Sequence, residues 1–256
     1  MDDNAMTELP PTLELLWGRR ERPRRGPKPG LSLERIVAAA VEIADREGLA
    51  AVSMSRVAEE VGFTTMSLYR YVASKDELLA LMAETAMGSP PAPPPAEQGW
   101  RAGLAGWARA LMAGYEQHPW FLQVPISGPP LGPVQLSWLE SGLQILAPTR
   151  LEDYERVAVM QLLSGFVRNE AQLRIDLVRA ATAAAAQEGG PPPSYGQMLR
   201  LLVDARRYPE LSRITTAGSF DDAGGYSDEE SEFGLQRILD GIAALVDARE
   251  REPAAG

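Results

Sequence analysis

Apolar residues recur every three or four positions along most of this chain, and no segment alternates apolar and polar residues over a strand's length. After Ser32, a good N-cap residue, Leu33, Ile36, Val37, Ala40, Val41 and Ala44 form one helical face that Gly48 closes. Ser53 opens a second helix with Val57, Ala58 and Val61 inward, and Thr64 is placed to cap a third, from about Thr65 to Tyr71. Ser74-Lys75-Asp76-Glu77 is a capping box heading a fourth helix through Leu78, Leu79, Leu81 and Met82. The proline-rich run at 90–95 interrupts the pattern. Helices are then expected at about 98–117, 134–146, 151–187, 195–207 and 228–251. They are separated by His118-Pro119-Trp120, the Pro/Gly-rich stretch 125–133, the Gly/Pro run 189–193 and the acidic, glycine-rich segment 219–228.

The predicted fold class is all-α. It comprises an N-terminal extension (1–30), a three-helix domain with a helix-turn-helix and a fourth helix leading away (31–87, motif about 53–72), a proline-rich linker (88–97) and a C-terminal helical bundle (98–251). Within the motif, small Ala58 lets two helices approach closely, Gly62 can take the positive φ of a tight turn, and Leu68 plugs the corner from the second helix. That second helix would carry polar and aromatic side chains outward, where base edges can be met.

Composition narrows the chemistry. Cysteine is absent and His118 is the single histidine, so thiolate or multi-histidine metal centres and Ser-His-Asp hydrolysis are hard to build. An enzyme is not expected. No apolar run reaches the roughly 18 residues of a membrane span, and there is no signal-peptide core, so a cytoplasmic, nucleoid-associated protein is expected. The net charge is −10, yet residues 19–28 hold six basic side chains against one acid: Arg19, Arg20, Arg22, Arg24, Arg25 and Lys28. Distant acids are screened over about 8–10 Å, so the local cluster governs contact with phosphates. Pro23, Gly26, Pro27, Pro29 and Gly30 preclude a regular helix in this arm, which is placed either to enter a minor groove or to lie solvated. Before it, residues 9–17 can form a short apolar helix.

The strings Ala58-Glu-Glu-Val-Gly-Phe63, Ser67-Leu-Tyr-Arg-Tyr-Val72 and Ser74-Lys-Asp-Glu-Leu-Leu79 make residues 32–87 resemble the DNA-binding domain of the TetR family of bacterial repressors. Trp100-Arg-Ala-Gly-Leu104, His118-Pro-Trp120, Gly128–Pro133 and the run 232–241 resemble, less specifically, the C-terminal ligand-binding and dimerisation domain of one of its subfamilies. The resemblance implies that Thr65, Met66, Ser67, Tyr69 and Tyr71 face the major groove or its phosphates, the two tyrosines through their hydroxyls. It makes Ser53, Ser55, Arg56 and Lys75 candidate phosphate clamps. It also implies a homodimer, paired through the helices at 151–187 and 228–251, on a palindromic double-stranded operator.

The effector side is less determined. Trp107, Met112, Tyr115, Trp120, Phe121, Trp138, Met160 and Phe166, with Trp100, either line a cavity for a small, largely apolar molecule or form ordinary core. Asn169 either orients that ligand or faces solvent, and His118 either holds a helix corner or touches the ligand. The chain has no set of residues matching the drug and magnesium ligands of the tetracycline repressor, so neither metal nor cofactor is expected. The function these features imply is a ligand-released transcriptional repressor. Control by a protein partner, or a helical small-molecule binder without operator activity, are the alternatives.

Overall fold

The computed structural model describes residues 9–19, 30–93, 95–126, 128–188, 193–221 and 228–252, and among them every regular element is helical. The helices are α1 (Pro11–Leu16), α2 (Leu33–Glu47), α3 (Met54–Val61), α4 (Thr65–Leu68), α5 (Lys75–Met87), α6 (Gly99–Gln117), α7 (Pro133–Leu146), α8 (Asp153–Glu188), α9 (Tyr195–Leu202), α10 (Pro209–Thr216) and α11 (Asp228–Arg251). They fall into two compact units, one of residues 1–167 with 245–256 and the other of 168–244.

In the first unit the starts of α2, α3, α4 and α5 are fixed by short hydroxyl side chains. Ser32 accepts from the Arg35 amide, Ser53 from that of Arg56, Thr64 from that of Ser67 and Ser74 from that of Glu77. The Glu77 carboxylate reaches back to the Ala73 amide rather than to that of Ser74, so it supports the chain one residue before the cap. Helix α3 ends with Gly62 left-handed at φ 76°. Its amide returns to Glu59 O at 3.1 Å and that of Phe63 to Ala58 O at 2.9 Å, the paired closure that a left-handed residue permits. Ile36, Ile43, Leu68, Leu78 and Met82 are fully buried in one core, joined by Leu15 of α1 and by Trp120 from the corner after α6. Four residues cannot hold a helix by themselves. Helix α4 persists because Leu68 is anchored in that core.

Helix α6 ends at His118-Pro119, where a 3-10 turn over Pro119–Gln123 redirects the chain. Near the start of α8, Glu155 meets Arg249 of α11, with Nη2–Oε1 2.7 Å and Nε–Oε1 3.0 Å. Arg249 holds the Glu155 carboxyl below its ordinary range.

In the second unit, α9 packs on α10, Arg200 pairs with Asp221, and the Gly196 amide donates to Phe220 O at 3.0 Å. Ser231 donates to Glu170 at 2.9 Å. The helix expected at 195–207 ends at Leu202, and a further helix that was not expected, α10, follows at Pro209–Thr216. Asp204 accepts the Arg206 amide on its side chain and the amides of Arg207 and Tyr208 on its carbonyl, which forms a turn. Pro209 then drives Tyr208 out of helical geometry and starts α10 at its first position.

Candidate nucleic-acid interface and adjoining cleft

Helix α4 presents its outer surface while Leu68 points inward. Met66 is 75% exposed and Tyr69 47%, with Thr65 and Ser67 half-buried beside them. A methionine and a half-exposed tyrosine held toward water on a capped turn contribute little to the core. They form a small contact surface able to meet a thymine methyl and a phosphate. Lys75, at the first turn of α5, is exposed as well.

Tyr71 is placed differently from Tyr69. Helix α4 stops at Leu68, three residues short of the expected end, and the chain continues as a turn closed by Tyr71 N to Leu68 O at 2.8 Å. This rotates Tyr71 toward the core, where its ring packs and its hydroxyl donates to Leu31 O at 3.1 Å. Its one proton therefore fastens the chain entering α2 and is not offered to a phosphate.

Among the clamp candidates, Ser53 caps α3, and its hydroxyl lies 3.1 Å from that of exposed Ser55. Arg56 has protein partners: Glu60 at 2.7 Å and Glu47 at 3.0 Å, with Arg46 completing the network. These carboxylates raise the guanidinium above its ordinary range and offset the charge it would bring to a phosphate. Arg19 is exposed, and Arg20, Arg22, Arg24, Arg25 and Lys28 lie outside the described residues.

Sequence reasoning missed Arg35. Its guanidinium donates to Val61 O at 2.9 Å and to Gly30 O, and it lies 5.7 Å above the Phe63 ring. It thereby caps the end of α3 and fixes where the arm joins the helix-turn-helix. Asp45 was missed too. It accepts from Trp120 Nε1, and His118 Nδ1 lies 2.8 Å from the same oxygen, so His118 serves the helix corner and ties it to α2.

A small, partly open cleft with an accessible volume of about 10 Å³ lies where α5 ends, lined by Ala86, Met87, Leu111, Gly114, Tyr115, Phe121 and Trp138. Three of the aromatic residues expected around a ligand are thus together. The others are not at this cleft. Trp107 is buried and donates to Trp138 O at 3.0 Å, and Trp120 belongs to the core under α2. Met160 is buried where Gly142 leaves room for its thioether. Met112 and Phe166 are half-buried, and Asn169 is exposed. Trp138 Nε1 donates to Gly88 O at 3.0 Å, just past the end of α5. Among the described residues no group of three or more potential ligands could hold a metal ion, and no helix is long and apolar enough to cross a membrane.

Similar proteins include HTH-type transcriptional regulators. Residues 36–82 match the family described as bacterial regulatory proteins, tetR family, and residues 92–246 match the tetracyclin repressor-like C-terminal domain. The HTH-type transcriptional repressor DrrR1 of Streptomyces coeruleorubidus is 43% identical over 95% of this chain and 88% of its own. Among solved structures, apo ActR from Streptomyces coelicolor superposes with a TM-score of 0.69 at 29% identity, covering 85% of this chain and 97% of ActR. ActR in complex with actinorhodin gives 0.69 at 28% identity, covering 86% and 98%. The chain belongs to the TetR family of bacterial regulatory proteins.

Proposed function

We propose that this TetR-family transcriptional repressor grips a palindromic operator as a homodimer through α4, and releases it when a small, largely apolar molecule occupies the cleft beside α5. It acts by binding rather than by turnover, in the cytoplasm. One observation carries the reading: a capped, core-anchored turn exposes Met66 and Tyr69, and the helix that follows it ends at an aromatic cleft. Thr65, Ser67 and Tyr69 are the proposed base and phosphate contacts. Lys75, Ser53, Ser55 and the arm Arg19–Lys28 are the supporting phosphate contacts.

Dimerisation is supported by apolar side chains left outside. On α8, Tyr154, Val157 and Leu162 are more than half exposed and share one face with Ala158 and Gly165. On α11, Phe233 is 63% exposed on a face that continues through Gly241, Ala244 and Ala248. Small residues with scattered large ones suit close helix pairing across a twofold axis. The repressor named DrrR1 and the ActR complex with actinorhodin support the sign of regulation and the small-molecule effector.

Clearing an operator needs a coupling of about 1–3 kcal/mol or more between the two sites. The test is fluorescence anisotropy of the ligand-free protein on DNA from upstream of its own gene, across a salt series. Tight, salt-sensitive binding is expected, and its absence overturns the reading. Serine in place of Arg20, Arg22, Arg24, Arg25 and Lys28 should weaken binding and flatten its salt slope. Deleting residues 1–28 is a poorer test, because α1 lies within them and packs on α5 through buried Leu15.

A further inference from the structure

The junction of α5 with α7 contains a buried carboxylate that no local pattern announces. Glu84, on α5, is 7% exposed. Its Oε2 accepts the Val134 amide at 2.7 Å and its Oε1 the Gln135 amide at 3.4 Å. Helix α7 supplies no cap of its own: the N-cap is Gly132, and Pro133 at the first position has no N–H. The first amides that α7 leaves open are therefore answered from α5, by a charge suited to a helix N-terminus. Gly132 is part of the fit, since a Cβ there would collide with the Glu84 carboxyl group. Burial pushes the Glu84 carboxyl above its ordinary range, against the pull of the two amides.

The same helix is tied again where Trp138 donates to Gly88 O, and the cleft residues Ala86 and Met87 fall between these two anchor points along α5. With an accessible volume of about 10 Å³, room for little more than one water, the cleft is far smaller than the ~300–1,000 Å³ of sites that hold drug-sized ligands. An occupant must therefore displace part of its lining: Tyr115, Phe121, Trp138 or the end of α5.

We propose that Glu84 is the positioning residue that converts occupancy of this cleft into movement of the DNA-binding helices. The proposal rests on reading the cleft as the effector site. With the carboxylate seated on α7, a shift of α7 is carried to α5. From there it passes through the Ser74 cap to the turn that follows α4. Without the carboxylate, the tie that remains is the Trp138 bond to Gly88, just past the end of α5, and less of a shift of α7 reaches α5.

The effector can be replaced by a side chain. Gly114 lines the cleft, and a Cβ built there meets nothing within 4 Å, so Gly114→Phe installs an internal occupant in the full-length protein. Affinity for the upstream operator DNA is measured for the parent, Gly114→Phe, Glu84→Leu and the double variant, with folding checked by circular dichroism. Gly114→Phe should weaken binding about tenfold in the parent, within the usual range of allosteric coupling, and less than about twofold in the Glu84→Leu background. Gly132→Ala, which pushes the carboxylate off α7, should abolish the coupling in the same way and decides the matter if Glu84→Leu fails to fold. Equal factors in both backgrounds, or no effect of Gly114→Phe in the parent, overturn the proposal while leaving operator binding intact. A parent that does not bind the DNA overturns the operator reading, and this proposal with it.

Discussion

Tyr69 and Tyr71 are two residues apart on one turn, and the structure places their hydroxyls differently, a difference that phenylalanine can test. Tyr69 is half exposed, and its hydroxyl has no protein partner among the described residues. Tyr71 donates to the carbonyl of Leu31, a residue only 3% exposed. Removing the Tyr71 hydroxyl leaves that carbonyl without its donor, at a cost of about 1–3 kcal/mol of stability. Removing the Tyr69 hydroxyl changes a surface position, so stability should move by no more than about 0.5 kcal/mol. On DNA the order reverses. One hydrogen bond contributes about 0.5–1.5 kcal/mol net, and a dimer makes it twice, so Tyr69→Phe should cost about 1–3 kcal/mol of operator affinity, or roughly 5- to 150-fold. Tyr71→Phe should bind DNA almost normally at temperatures where it remains folded. The assay pairs urea unfolding with fluorescence anisotropy on the upstream DNA. If Tyr71→Phe loses affinity as much as Tyr69→Phe while keeping parental stability, the assignment of Tyr71 to the core is refuted.

Leu68 is fully buried and is the inward anchor of a four-residue helix, so Leu68→Ala should lower stability by about 2–5 kcal/mol and abolish operator binding near the new melting temperature; parental melting would refute the anchor. Because burial raises the Glu84 carboxyl above its unfolded value, the native state holds that proton more tightly than the unfolded chain does. Its contribution is therefore greatest below the unfolded carboxyl range and is lost as pH rises through the raised value. Relative to Glu84→Gln, the parent should lose thermal stability as pH rises from about 4 to 7, and a difference that grows in the parent's favour over that window would refute this environment.

The helix-turn-helix was legible because its signals are local. Ser32, Ser53, Thr64 and Ser74 cap helices through amides three residues away, Gly62 takes the left-handed turn, and Leu68 is buried as its spacing from Ala58 and Gly62 requires. Where α4 ends was not legible. The tyrosine-rich run continues past Leu68, and only the burial of Val72 beneath it requires the chain to tighten. The same holds for the break between α9 and α10, where a turn around Asp204 prevails over a helical pattern that reads through it. In the cleft, Tyr115, Phe121 and Trp138 could be named as candidates, but nothing local separated them from Trp107, Trp120 and Met160. All three indoles donate to a group elsewhere in the chain, so the distinction depends on which side chains the packing of α5, α6 and α7 leaves at the cleft wall.

The ties that sequence could not show are also the ones best suited to switching. Apolar packing is non-directional and tolerates small sliding of one helix over another. A hydrogen bond weakens steeply once its angle or distance leaves a narrow range. The DNA-binding helices are registered to α6 and α7 by such bonds: Asp45 with Trp120 and His118, Glu84 with the amides of α7, and Gly88 with Trp138. Glu84 and the Trp120 and Trp138 indoles are largely removed from water, where an unpaired donor or acceptor is expensive, whereas Asp45 and Gly88 are exposed residues. An occupant that shifts α7 by an ångström therefore cannot be absorbed at Glu84 as a slightly worse contact. Either α5 follows, keeping its carboxylate on the amides, or a buried charge is left without a partner. A clasp of this kind favours discrete arrangements of the junction over a continuum, which suits transmission from the cleft to the turn at the far end of α5.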